Sequence, residues 1–331
     1  LRITSVGVDD PLGYVISVIM IGFSILALWL AARVMKGRDY ATLQKGGGAL
    51  QKRRLSAWES VLAYGWIALV LAVTLAPHVG ILLMSFAKVW SFSVLPDAYT
   101  LEHYATVFSD ASGMIGNTLL YCVLAAGLDV VLGTAIAYLI LRTRLPARQW
   151  LDWLASAALA IPGLVLAIGY LRLFKGVHVP FTDKLVIHSW VLIMLAYAGR
   201  RLPYALRSCM AALQQVHVSL EEAAQSLGAS RLSTIRRVVV PLMTGGILAG
   251  FVTSFITAAV ELSATLLLVS TESQAPMSLG IYLYMQSIAG RGPGAALGVL
   301  AVVVVGLGTY FSHRFVERSR VTTSTSIKAG A

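Results

Sequence analysis

The sequence predicts an all-α polytopic membrane protein, a core of six membrane-spanning helices preceded by one further helix. Two observations predict it. The 331 residues are 57% hydrophobic and only 12% charged, with a mean hydropathy of +0.78. Soluble domains hold about 45–50% apolar and about 25% charged residues, and a chain of this length has no core large enough to hide the excess. Seven stretches also reach the roughly 20 mostly apolar residues that a helix needs to cross the hydrocarbon layer. They lie at 14–34, 61–86, 115–141, 151–174, 185–206, 243–270 and 295–316.

The charge pattern orients these spans. A net charge of +11 in a soluble chain would suggest nucleic acid. Here an alternating path collects most of the 26 Lys and Arg residues on one face: the loop 33–58, the turn 142–148, the stretch 200–237 and the tail after 314. Basic residues are retained on the cytoplasmic side. The N-terminus, with Asp9 and Asp10, is therefore expected outside, the C-terminus in the cytoplasm, and the chain in the inner (plasma) membrane. No nucleic-acid partner is expected.

Taken in order, residues 1–34 form the outer N-terminus and first helix. Residues 35–58 form a basic linker containing Gly46-Gly47-Gly48, a flexible run. Residues 59–318 form the six-helix domain, and 319–331 a cytoplasmic tail. Within the domain, the outer loop 87–116 places Leu101, Tyr104, Ala105 and Phe108 at helical spacing, as an interfacial helix would. The outer loop 271–294 is similar, with Ile281, Tyr282, Tyr284 and Met285. The span 151–174 contains Pro162-Gly163, which removes a backbone hydrogen bond and kinks the helix; such breaks are tolerated where they line a cavity. Two acids fall inside spans, Asp129 and Glu261, the latter expected in the outer half of its span. Intramembrane acids are costly and face a partner or a route. Asp129, Pro162, Gly163, Glu261, Ser263 and Thr265 are the candidate path residues. Cys122 and Cys209 read as small packing residues, and no spacing suggests a metal site or cofactor.

The segment 219–241 between two spans is the most informative. Ser219 and Glu222 stand three apart, the pattern of a capping box. Glu221 and Glu222 would sit in the first turn, where the helix dipole favours negative charge. Ala223 and Ala224 leave a small bare surface, and Gly228 is placed to end the helix with a positive φ. Ser230 can cap a second helix, and Pro241 suits the first turn of the next span. The prediction is a helix–glycine–helix elbow on the cytoplasmic face, fit to dock in another protein's groove.

Glu222-Ala223-Ala224, Gly228, Val238, Val240 and Pro241 resemble, in spacing, the EAA loop of permease subunits of binding-protein-dependent ABC importers. The resemblance extends over about residues 55–318 and is nearest to the branch for ferric iron, thiamine and 2-aminoethylphosphonate, through Asn117-Thr118-Leu119, Ile161-Pro162-Gly163, Arg201-Leu202-Pro203-Tyr204 and Glu261-Leu262-Ser263-Ala264-Thr265-Leu266. It implies a six-helix importer permease core moving a small solute (2-aminoethylphosphonate or ferric iron) into the cytoplasm by alternating access. It implies as partners ATP-binding cassette subunits meeting the elbow, a periplasmic solute-binding protein, and a second permease half. Many members of the branch are fused doubles, and the extra helix, the linker and a start at Leu1 rather than Met fit the C-terminal half of one. No phosphate-cradling Gly-x-x-x-x-Gly-Lys-Ser/Thr occurs, so ATP hydrolysis is expected on a partner and this chain is not expected to be an enzyme. The competing expectation is a secondary transporter or channel that uses Asp129 and Glu261 as ion carriers and needs no ATPase.

Overall fold

The computed structural model describes residues 11–35, 55–90 and 93–329. Among them the chain is helical almost throughout, with two isolated β-bridges, Ala87 to Tyr99 and His178 to Leu185, and no strand. Helix α1 (Pro11–Met35) occupies the first predicted span. The outer N-terminus before it and most of the basic linker lie outside the described residues. Helix α2 (Ala57–Phe86) opens with a capping box: Ser56 accepts from the Glu59 N–H at 3.3 Å, and the Glu59 carboxylate accepts from the Ser56 N–H at 2.9 Å. Its apolar window has no buried residue, the mark of a helix that faces lipid.

The loop 87–116 holds α3 (Glu102–Asp110), as its spacing predicts. Helix α4 (Ser112–Arg142) buries Thr118, Cys122, Ala125, Asp129, Gly133 and Ala137, spaced by three or four, so one continuous face enters the core. The span predicted at 151–174 is instead two helices, α5 (Arg148–Ala160) and α6 (Gly163–Leu173), bent by 113°. Pro162 lacks an N–H and pushes the preceding Ile161 into an extended conformation, φ −84° and ψ 122°. Helix α7 (Trp190–Gln214) starts later and runs longer than its predicted span. Its extension takes Arg207, expected beyond the span, into the helix with Arg200 and Arg201.

Next come α8 (Val218–Ser226) and α9 (Arg231–Leu242), then α10 (Thr244–Ala259), bent by 72° from α9. The span predicted at 243–270 stops at 259; after a break at 260–264 a single turn, α11 (Thr265–Leu268), resumes. The loop 271–294 contains α12 (Met277–Met285), whose Met277, Leu279 and Gly280 are buried, so it packs into the core rather than along a surface. Helix α13 (Arg291–Ala329) continues through most of the predicted tail. Among the described residues, α2, α4 and the Arg291–Phe311 part of α13 are each long and apolar enough to cross a membrane, and the two bent pairs, each taken as one span, raise the number to five.

Helix α7 lies between α4 and α10, and glycines let the backbones approach. A methyl on Gly133 would meet the Leu206 nitrogen at 3.0 Å, and one on Gly250 would meet the Ala205 Cα at 3.2 Å. The buried side chains fall in three clusters along α4: one around Met114, Met277 and Leu297, one around Cys122, Leu192 and Tyr197, and one around Ala137, Leu213 and Met243.

Candidate functional site

The elbow forms, with two corrections to its expected details. Helix α8 is entered through His217, extended at φ −67° and ψ 134°, with no side-chain cap. Ser219 lies inside the first turn and is exposed, so the capping box with Glu222 does not exist. The entry is set instead by Val216, which is buried and whose carbonyl is held by Arg142, so the helix restarts immediately after it. Pro241 is also displaced: it sits near the end of α9, and the next span begins only at Thr244 because the chain turns at buried Met243.

The adjacent glutamates, about 100° apart around the helix, have different surroundings: Glu221 is buried and Glu222 exposed. Glu221 is 5% exposed. Its Oε1 accepts from Arg142 Nε at 2.7 Å and its Oε2 from the Tyr138 hydroxyl at 3.1 Å. Glu222 and Ala223 are exposed, and Ala224 is half-buried. Gly228 has φ +87°, and the bonds Gly228 N–H to Gln225 O (2.9 Å) and Ala229 N–H to Ala224 O (3.0 Å) close α8. This is the paired bonding of a glycine-ended helix. Ser230 caps α9 by accepting from the Ser233 N–H at 3.3 Å. Leu227 and Leu232 flank the turn, 90% and 75% exposed. The stretch Ile235–Val239 has π-helical bonding just before Pro241, whose missing N–H leaves the ladder free to change register.

The candidate path residues gather around one charge cluster. Glu261 lies in the break after α10 and is 4% exposed. Its carboxylate accepts from Arg200 Nη1 (3.2 Å), from the Ala264 N–H (3.2 Å) and from Arg201 Nη2. Its carbonyl accepts from Thr265 Oγ1 (2.7 Å) and Ser278 Oγ (2.8 Å), and Tyr197 bonds Thr265 at 2.7 Å. One residue thus ties α7, the α10–α11 break and α12 together. Gly163 is buried at the α5–α6 break, where any side chain would strike the Arg200 guanidinium and Ser263, while Pro162 is half-buried beside it. Ser263 is exposed. Asp129 is wholly buried: its Oδ2 accepts from Ser254, and Arg201 acts on it electrostatically. Asp129 Oδ1 and Arg201 Nε are buried without a hydrogen-bond partner.

Sequence reasoning missed Arg142, Tyr138, Arg200, Arg201 and Ser254. The signal for the arginines was an unmatched acid: a buried Glu261 needs a cation, and Arg200 and Arg201 were the nearest ones at the end of a predicted span.

A family model described as "Binding-protein-dependent transport system inner membrane component" matches residues 129–321. The chain is 30% identical over 236 residues to the ferric transport system permease protein FbpB of Actinobacillus pleuropneumoniae, covering 70% of this chain and 33% of that protein. It is 33% identical over 143 residues to the sulfate transport system permease protein CysT of Salmonella typhimurium, covering 42% of this chain and 52% of that one. It therefore spans about a third of the ferric relative's length and about half of the sulfate relative's. Among solved structures, a bacterial ABC transporter that imports alginate aligns over 79% of this chain and 98% of its own, with a TM-score of 0.59 and 17% identity. At that identity the likeness speaks for the fold.

Proposed function

Because the chain belongs to the family of binding-protein-dependent transport system inner membrane components, we propose that it is a permease subunit of an ATP-driven importer, coupled to a separate ATPase through the elbow at 219–241. The single observation that carries this reading is the division of labour at Glu221 and Glu222. One glutamate anchors the elbow inward, while Glu222, Ala223, Leu227 and Leu232 stand outward as a compact face with an apolar rim. A partner's groove fits that face. Closure of an ATPase dimer would push on it, and the adjoining helices would alternate between outward and inward access. The N-terminus lies outside and the C-terminus inside. A periplasmic binding protein delivers the solute, and a second permease half, fused or separate, completes the pathway.

The solute is small, 2-aminoethylphosphonate or ferric iron. Ferric iron has the better support of the two that the resemblance implies, because curated relatives carry ferric transport in their names and the phosphonate has no such counterpart among those above. The ion-carrier reading of Glu261 is weakened by its surroundings: two guanidiniums and a backbone N–H already occupy its carboxylate.

The test is Glu222→Lys in the assembled importer. The variant should insert and fold as the wild type does, while co-purification of the ATPase and binding-protein-stimulated hydrolysis are lost. Stimulated hydrolysis at the wild-type rate would overturn the coupling role. Uptake of radiolabelled ferric ion, in competition with 2-aminoethylphosphonate, decides the solute.

A further inference from the structure

One buried guanidinium joins three helices at the inner end of the bundle. Arg142 is the last residue of α4. Its Nε donates to Glu221 Oε1 of α8 at 2.7 Å, and its Nη2 donates to the Leu213 carbonyl (3.0 Å) in the last turn of α7 and to the Val216 carbonyl. The Leu213 carbonyl also accepts from the Val216 N–H at 3.1 Å, which closes α7, and a cation suits the negative end of a helix. Tyr138, one turn earlier on α4, holds the other oxygen of the same carboxylate at 3.1 Å. The side chains of Arg142 and Glu221 are only 12% and 6% exposed.

Two contacts from residues i and i+4 of one helix fix both the position and the rotation of α8 against α4. The other side of α8 is different. It leaves through Gly228, at φ +87°, into an exposed turn. The elbow is therefore tied to α4 and α7 through side chains, and to α9 through the closed turn at Gly228 and direct packing.

We infer that Arg142 is a positioning residue of the transport machinery: it makes α8 one rigid body with the inner end of α4, so that force on the elbow is delivered to α4, 79 residues away in sequence, and not only along the chain into α7 and α9. This rests on the coupling reading above. Its consequence is that the helices moved first are those carrying Asp129 and the Arg200–Arg201 pair, and the α10–α11 break follows through Glu261.

The experiment uses the complete importer with its ATPase and binding protein. Labelled cysteines replace exposed Val218 at the start of α8, outside the docking face, and exposed Val131 on α4; the native Cys122 and Cys209 are buried. The 218–131 distance is measured without nucleotide and after trapping with ATP and vanadate. The wild type should keep one distance in both states. Arg142→Met with Glu221→Met removes both charges and keeps apolar volume, so no buried carboxylate is left alone. In that variant the ATPase should still co-purify, the distance should change on trapping, and stimulation of hydrolysis by the binding protein should fall at least tenfold. If the double variant does not fold, Arg142→Lys serves: it keeps the charge but loses the fork across the carbonyls, and should show the same changes in smaller degree. A variant distance as constant as the wild type's, or full stimulation, overturns the role of Arg142 alone. Failure of the wild type to bind an ATPase at all overturns the coupling reading, and this inference with it.

Discussion

Gly163 and Ser263, a hundred positions apart in the chain, touch across two helix breaks: a methyl on Gly163 would lie 2.8 Å from the Ser263 Cβ. The α5–α6 break and the α10–α11 break therefore meet at one point, with the Arg200 guanidinium between them and the Glu261 carboxylate closing the group. Irregular backbone inside a membrane protein needs such internal partners, since lipid offers none.

Gly163→Ala should destabilise the fold by overpacking, by about 1–3 kcal/mol. The added methyl collides with Arg200 and Ser263 at once, so Ser263→Gly in the same chain should recover part of the loss. Thermal unfolding of the detergent-solubilised protein reads both, and an unchanged melting temperature for Gly163→Ala would contradict the contact.

Glu261→Gln leaves two guanidiniums in the core without their counter-charge. Breaking a buried pair by removing one partner costs about 3–5 kcal/mol. Adding Arg200→Met removes one of the stranded cations and should restore some stability. Were the double variant no more stable than Glu261→Gln, the ion pairing would not be what holds the break.

Asp129→Asn should behave in the opposite way. Ser254 still finds an acceptor in Asn, and a buried charge with one unpaired oxygen disappears. Stability should hold within about 1 kcal/mol, because relief from burying a charge is offset by the lost attraction of Arg201 and by an amide N–H without an acceptor. Chemical denaturation of both forms checks this. A fall of several kcal/mol would mean that Asp129 serves as an essential counter-ion for Arg201.

Gly228→Ala places a Cβ on a residue at φ +87°, at a cost of about 1–2 kcal/mol. The damage should stay local to the elbow. Amide exchange at Ala229, whose N–H closes α8 on the Ala224 carbonyl at 3.0 Å, should accelerate, while the melting temperature of the bundle changes little. Gly228→Asn should be milder, since Asn tolerates this conformation better.

Most of the helices were legible from apolar run lengths, because crossing a bilayer demands them. The elbow was legible because glycine, serine and small residues at fixed offsets have local causes; Gly228 and Ser230 do what those causes dictate. Ser219 failed as a cap because capping depends on where the preceding helix lets go, and Arg142 decides that from another helix. The same holds for Arg200 and Arg201: their place near the end of an apolar run groups them with the cytoplasmic charges, whereas α7 runs on to Gln214 and both pair with Glu261.

Local chemistry thus determined, from the sequence by itself, that the chain is a helical membrane protein with a two-helix elbow whose first helix ends at Gly228. Only the tertiary structure decided that Glu221 turns inward and Glu222 outward, that Asp129 meets Ser254, and that two helix breaks converge on Arg200 and Glu261. The reason is physical. Hydropathy, caps and glycines act over a few residues, whereas a buried charge is satisfied by whichever distant side chain the packing brings within about 3 Å, and no spacing along the chain encodes that choice.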